Sequence, residues 1–296
     1  MSLPALAGWR VLVPRGGEWG ERVAALLADH GAESVVVPLI EFAPPEDLQS
    51  YDSALNGLAR GDYDWLVVTS ATTVQSLSAR VATLVNRGRE TPATALATFV
   101  GDTHVAAVGP GTARSLERYH VAPALLPSGE RSARGLLADF PAADAGVTLP
   151  GRPGRVLLPQ SNLAEPTLTD GLRELGWEVE AVVAYRTLSG PVPGEGLRTE
   201  VRTGGFDAVL LSSASTVANL VELVGTPPPT TVVCCIGPRT EQAARDHGLP
   251  VHVVPPAASG EELVDALARY ASGRVDGAPA ASADASPGSP SDPQET

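Results

Sequence analysis

The sequence predicts an α/β protein built on parallel sheets, and three observations carry that reading. Short Val- and Leu-rich runs recur along the chain, as RVLV, SVVV, DWLVV, HVAAV, RVLL, DAVLL and VVCC. Runs of this kind suit strands buried on both faces. Turns rich in Gly, Pro, Ser or Thr separate them from segments with helical spacing of apolar residues, so strands alternate with helices. The whole pattern then occurs twice, with the same three units in the same order in each half.

The first unit opens with a strand at Val11–Val13 that Pro14 stops. In GERVAALLADHGA, Val23, Leu26 and Leu27 have helical spacing, and Gly31 is the expected C-cap. SVVVPLI follows as the next strand, and PLIEFAPPED ends in a Pro-rich turn. The second unit, residues 63–77, reads YDWLVVTSATTVQSL: a buried strand broken by small hydroxyl residues. Val74, Leu77 and Val81 then give a helix its apolar face. The third, residues 104–116, reads HVAAVGPGTARSL, with Pro early in its helix and Thr112 placed to cap it.

The second half repeats these units. WRVLVPRGG returns as GRVLLPQSN at an offset of 145 residues, and the same offset aligns Gly31-Ala32-Glu33 with Gly176-Trp177-Glu178. FDAVLLSSASTVANL, residues 206–220, matches the hydroxyl unit at six of fifteen positions, and VVCCIGPRTEQAA matches the third unit. VVAYRTLSGPVP stands where PLIEFAPPED stood, so the two segments read as paired crossings of a hinge. The repeat leaves two arrangements open. The domains follow in tandem, or the chain leaves the first domain after one unit, builds a second, and returns.

Composition narrows the function. At 296 residues and 43% hydrophobic content the chain is long enough for about two domains. A net charge of −13 argues against a nucleic-acid partner, which needs a basic face. Adjacent Cys234 and Cys235 point to opposite faces of a strand, which disfavours a mutual disulfide, and two cysteines are too few for a metal. Buried strand thiols fit a reducing compartment. No basic, apolar leader opens the sequence and no apolar run approaches the ~20 residues of a membrane helix, so a cytoplasmic protein without a membrane partner is expected. Residues 272–296, rich in Ala, Ser, Pro, Gly and Asp, are expected to form a disordered tail.

VLVPR, YDWLVVTSATTV, VAAVGPGTA, AYRT, FDAVLLSSASTV and CIGPRT, in this order from Arg10 to about Tyr270, together resemble the uroporphyrinogen-III synthase family. The resemblance implies two flavodoxin-like α/β domains joined by a two-stranded hinge, with the active site in the cleft between them. It favours the interleaved arrangement, with residues 1–39 and 188–271 in one domain and 44–183 in the other. It implies cyclisation of the linear tetrapyrrole hydroxymethylbilane to uroporphyrinogen III, with ring D inverted through a spiro intermediate and water lost. It further implies a monomer acting on a small molecule, with no cofactor and no metal.

That substrate also closes unaided, to the uninverted isomer, so the catalyst mainly has to position it. A weak acid near the leaving hydroxyl adds a smaller contribution. Tyr185, in AYRT, is the candidate acid; its repeat counterpart is Ile40, so the fold does not need a hydroxyl at both crossings. The five histidines, His30, His104, His120, His247 and His252, follow helices or border strands, where capping or solvation is the ordinary role.

The carboxylates of the substrate meet an acidic protein, so recognition must rest on local donors at helix N-termini and on Ser and Thr hydroxyls. Ser70, Thr72 and Thr73 serve one turn and Ser212, Ser213, Ser215 and Thr216 the other, with Thr112 and Thr240 in the GPGT and GPRT turns. Each of these residues has an alternative as a plain helix cap. Arg15 is the candidate cation, since Gln160 replaces it in the second copy; Arg186 and Arg239 are weaker candidates. The rival reading is a two-lobed small-ligand-binding or regulatory protein without catalysis. A nucleotide-dependent enzyme is disfavoured, because no G-x-G-x-x-G or P-loop follows any strand.

Overall fold

The computed structural model describes residues 4–85, 92–144 and 153–275. The chain begins with β1 (Arg10–Val13), α1 (Gly17–Asp29) and β2 (Glu33–Val36), then β3 (Ile40–Ala43). There follow α2 (Leu48–Ala59), β4 (Trp65–Val68), α3 (Ala71–Val85), α4 (Pro92–Val100), β5 (His104–Ala107), α5 (Pro110–Glu117) and α6 (Ala133–Asp139). The second half supplies β6 (Arg155–Ser161), α7 (Thr167–Glu174), β7 (Glu178–Ser189), α8 (Glu195–Thr203) and β8 (Ala208–Leu211). α9 (Ala214–Asn219) widens into a π-helical turn at Leu220–Val224, and β9 (Val232–Cys235), α10 (Pro238–Asp246) and α11 (Gly260–Val275) complete the chain.

The strands form two sheets, β2-β1-β8-β9 and β3-β7-β6-β4-β5. The sequence repeat equates β1 with β6, β2 with β7, β4 with β8 and β5 with β9. In those terms both sheets have the same order, and each takes its first unit from one half of the chain and the other two from the other half. All pairings are parallel except β3 against β7. Parallel bridges Ala106–Leu125 and Cys234–Val253 extend each sheet by one more position. The result is the 2-1-3-4-5 order of flavodoxin-like folds.

Alternation along the fully buried strands sends side chains to two cores per sheet. Val11, Val13, Leu210 and Cys234 pack on one face of the first sheet, and Leu12, Val209, Leu211 and Cys235 on the other. In the second sheet Leu66, Val68, Val105 and Leu157 oppose Trp65, Val67, Val156 and Leu158. Both cysteines are buried and unbridged, and they face opposite cores as their adjacency requires. Burial is the main cause that pushes both thiols up, Cys235 to about 12.

Three local expectations need correction. His30, not Gly31, caps α1; Gly31 takes the next position at φ +83, donating to Ala28, while Ala32 donates back to Leu27. That closes a Schellman turn, in which glycine belongs one residue beyond the cap. Thr112 and Thr240 do not cap their helices, because extended Gly109 and Gly237 hold the N-cap positions and each Thr lies buried inside the first turn. Helix α11 continues to Val275, past the expected start of the tail at 272, with Ser272 Oγ bonding back to the Ala268 carbonyl. The rest of the expected tail, residues 276–296, lies outside the described residues. Among the described residues no helix is long and apolar enough to cross a membrane.

β3 and the end of β7 form a two-stranded antiparallel connector, pairing Ile40 with Ser189 through Ala43 with Arg186. Its two ends are tied differently. At one end buried Asn219 donates to the Leu39 carbonyl at 2.6 Å and accepts from Ser189 Oγ at 3.3 Å. Gly190 also donates to that carbonyl, and a Cβ on Gly190 would lie 2.2 Å from the Pro38 carbonyl oxygen, so only glycine fits. At the other end Arg186 spans the Pro44 carbonyl and the Glu46 carboxylate.

Candidate active site

Open α/β sheets bind ligands beyond the carboxyl ends of their strands, where the strand order reverses. Here the reversals lie between β1 and β8 in one sheet and between β6 and β4 in the other. The residues just past those four strand ends are Arg15, Ser212, Asn162 and Ser70. The two sets meet directly: the Arg15 guanidinium donates to Thr72 Oγ1 at 3.4 Å, across 57 residues of sequence.

Tyr185 is placed by a fault in the ladder. β6 and β7 pair regularly up to Gln160 with Val183, but Ser161 then pairs with Tyr185, leaving one extra residue on β7. A bulge re-aims the side chains beyond it. Ala184 remains buried in the core, while Tyr185 is half-buried, with its hydroxyl 3.4 Å from Ser70 Oγ. Ser70 also caps α3 by accepting from the Thr73 N–H at 3.1 Å, and it shares a hydrogen bond with Thr73 Oγ1 at 2.9 Å. Cap and site contact coexist in this one hydroxyl.

Arg15 lies between two rings, its guanidinium carbon 5.2 Å from the centroids of both Trp19 and Phe42. No carboxylate pairs with it among the described residues, whereas Arg10, Arg80, Arg155 and Arg186 each have one. Burial lowers its pKa to about 10, an effect that neighbouring Tyr185 opposes and Arg22 adds to. Phe42 meets the Tyr185 ring edge-on, with centroids 5.6 Å apart and planes at 78°. A cation, a phenol, two hydroxyls and two aromatic rings therefore form one cluster at the carboxyl ends of the sheets.

The remaining expected residues are distributed as follows. Ser213 is the N-cap of α9 and forms a reciprocal capping box with Thr216. Ser212 Oγ is buried with no hydrogen-bond partner among the described residues. Ser215 sits half-buried in the first turn of α9. No hydrogen bond joins this second hydroxyl turn to Ser70 or Thr72, and none joins Thr112 or Thr240 to the Arg15 cluster. Arg239 is engaged by Glu165 in an ion pair between α10 of the first sheet's layer and the turn after β6 of the second, and Arg186 belongs to the connector. The histidines keep peripheral roles: His30 beside Asp265, His104 against the Trp65 ring, and His247 at the end of α10. His120 stands just past α5, and His252 Nδ1 accepts from the Val233 N–H.

Phe42, Trp19 and Asn219 escaped the sequence reading. An isolated ring in an apolar strand and an amide in a helix look like ordinary structure; only the repeat offered a signal, because none of the three is matched by a like residue in the other copy. Among the described residues no cluster of His, Cys, Asp and Glu is suited to hold a metal ion.

The similarities of the chain agree with this architecture. A family model described as uroporphyrinogen-III synthase HemD matches residues 21–265. The uroporphyrinogen-III synthase of Synechococcus elongatus is 26% identical over 226 residues, covering 76% of this chain and 78% of the relative. The porphyrin biosynthesis protein HemD of Ruminiclostridium josui is 24% identical over 280 residues; 91% of this chain matches half the length of that protein. A solved structure of a mutant uroporphyrinogen III synthase from the extremely thermophilic bacterium Thermus thermophilus superposes with a TM-score of 0.58 at 21% identity, covering 89% and 98% of the two chains. The uroporphyrinogen-III synthetase of Helicobacter pylori gives 0.52 at 15% identity, covering 87% and 97%. These two structures share its two-domain fold, and the family model spans most of its length. The chain belongs to the uroporphyrinogen-III synthase family, the cyclising hydro-lyases of haem biosynthesis.

Proposed function

We propose that this chain converts hydroxymethylbilane to uroporphyrinogen III in the cytoplasm, as a monomer, through the cluster around Arg15 and Tyr185. The observation that carries the reading is the unpaired, partly desolvated Arg15 guanidinium bonding Thr72 beside the Tyr185–Ser70 hydroxyl pair, at the carboxyl ends of both sheets. A cation kept free of protein carboxylates is suited to a carboxylate of the substrate. The cluster is complete within one chain, which fits a monomer, and two buried free thiols fit a reducing compartment.

In this reading residues 1–39 with 188–271 form one domain and residues 44–183 the other, and the strand orders of the two sheets support that division. Arg15 anchors a carboxylate from the first domain, while Ser70 and Thr72 receive the substrate from the second. Ser212, Ser213 and Ser215, with Thr112 and Thr240, line the strand ends that hold the remaining carboxylates. The Tyr185 hydroxyl donates its proton to the departing hydroxyl of the substrate, which leaves as water. Ring closure then releases a proton that restores the phenol. Ser70 holds the phenol in line through the 3.4 Å contact.

The test supplies freshly made hydroxymethylbilane and separates the porphyrin isomers after oxidation. The type III share should far exceed that of an enzyme-free control, and equality with the control would sink the synthase reading. Tyr185→Phe should lower kcat roughly 100-fold, the low end of general acid catalysis. Turnover unchanged in Tyr185→Phe would leave Tyr185 a packing residue.

A further inference from the structure

Among the described residues, the large apolar side chains left exposed include a single aromatic, Phe42, at 43% exposure. Phe140 and Phe206, by contrast, are buried at 5% and 3%. Phe42 is exposed within the Arg15 cluster, where its ring is held on two sides: edge-on to Tyr185, and beneath the Arg15 guanidinium. The ring is fixed, yet part of it faces solvent.

The fold does not call for an aromatic there. Phe42 pairs across the connector with Thr187, and Thr187 is also its counterpart in the sequence repeat at the offset of 145. The two copies therefore place a ring and a small hydroxyl residue at one and the same structural position. The local twofold of the connector, which exchanges its two repeat-related strands, passes through this pair.

A linear tetrapyrrole brings flat electron-rich rings with carboxylate arms. A ring wants a flat apolar partner, which aromatic side chains supply in offset or edge-to-face geometry. A carboxylate wants a guanidinium. Phe42 and Arg15 offer the two within one contact, beside the phenol assigned to the leaving hydroxyl. Resting on the proposed synthase activity, we propose that Phe42 is a specificity-determining residue: one pyrrole of the substrate packs on its ring, which sets the carbon through which the terminal pyrrole attacks. The isomer ratio, and not only the rate, then depends on this side chain.

The experiment compares Phe42→Leu, Phe42→Tyr and the wild type for type III share, kcat and KM, with thermal unfolding recorded for each. An aromatic contact is worth roughly a two- to tenfold change in binding. Phe42→Leu should raise KM by that factor and increase the uninverted type I share, at an unfolding temperature close to wild type. Phe42→Tyr should retain both wild-type values. An Arg15→Met background separates direct contact from mere support of the guanidinium, because a directly acting ring still changes the isomer ratio when that charge is gone. Phe42→Leu with wild-type isomer ratio and KM, or with no effect in the Arg15→Met background, overturns the inference and leaves the synthase reading intact. A wild-type chain giving no type III excess removes both.

Discussion

The Arg15 guanidinium sits between two rings with a hydroxyl, not a carboxylate, as its hydrogen-bond partner. Burial lowers its pKa to about 10, so the folded chain binds that proton less tightly than the unfolded chain. In the neutral range both states are protonated and the penalty is constant; the contribution of Arg15 to stability rises with pH only above about 10, as the folded group alone loses its proton. Arg15→Met should therefore stabilise the fold by about 1 kcal/mol, a value discounted for the solvent still reaching the side chain. Its KM should rise at least tenfold. Urea unfolding at pH 7 with parallel kinetics checks both signs, and a variant less stable than wild type would contradict this account. Arg15 could be found in the sequence because Gln160 stands in its place in the other copy. For Phe42 the mismatch with Thr187 was the one signal, and its exposure was hidden, because exposure is decided by what fails to pack on it.

Elements were more legible than their ends. Buried strands announce themselves by unbroken apolar runs, and helices by spacing, so the alternation and the paired hinge crossings followed from the residues alone, while the two-stranded form of the hinge came from the family resemblance. The GPGT and GPRT turns misled because a Thr after Gly-Pro looks like a cap, while the cap position had already been taken by extended glycine. The bulge that aims Tyr185 left no mark, since an extra residue in a strand shows only against its partner. Asn219 was equally hidden, although it ties both roots of the connector to the helix that starts at the second hydroxyl turn. It stands where α9 passes into a π-helical turn, a departure often found at functional sites. Asn219→Ala should cost about 1–2 kcal/mol in urea, because the Leu39 carbonyl keeps its bond from Gly190. Spin labels on the two domains should then report a broader distance distribution than in the wild type; an unchanged distribution would show that the amide only stabilises.

At the scale of the whole molecule, exposed ion pairs join elements of the two sheets away from the connector. Arg239 with Glu165 and Arg118 with Glu18 are exposed pairs, each worth 0 to about 1 kcal/mol. The protein carries −13 and its proposed substrate is a polyanion, so long-range repulsion opposes their encounter. Raising ionic strength from about 10 mM toward 0.15 M shortens the Debye length to about 8 Å and should increase kcat/KM. A steady fall of kcat/KM with salt would mean that a net positive field guides the substrate instead. The exchange of first units between the halves was the part that the repeat could not decide. β4 and β8 are equally buried apolar runs at equivalent repeat positions, and nothing in either says which of them β1 will join.

That exchange has a consequence in time. The five-stranded sheet is drawn from one unbroken stretch, β3 to β7, and is complete once Ser189 has been made. The other sheet begins first and finishes last: Arg10 meets Asp207 across 197 residues. At the usual 5–20 residues per second of synthesis, β1 waits roughly 10–40 s for its neighbour β8. The newborn chain thus carries a finished domain and an unsealed pair of apolar strands together, and that interval is when chaperones have most to do.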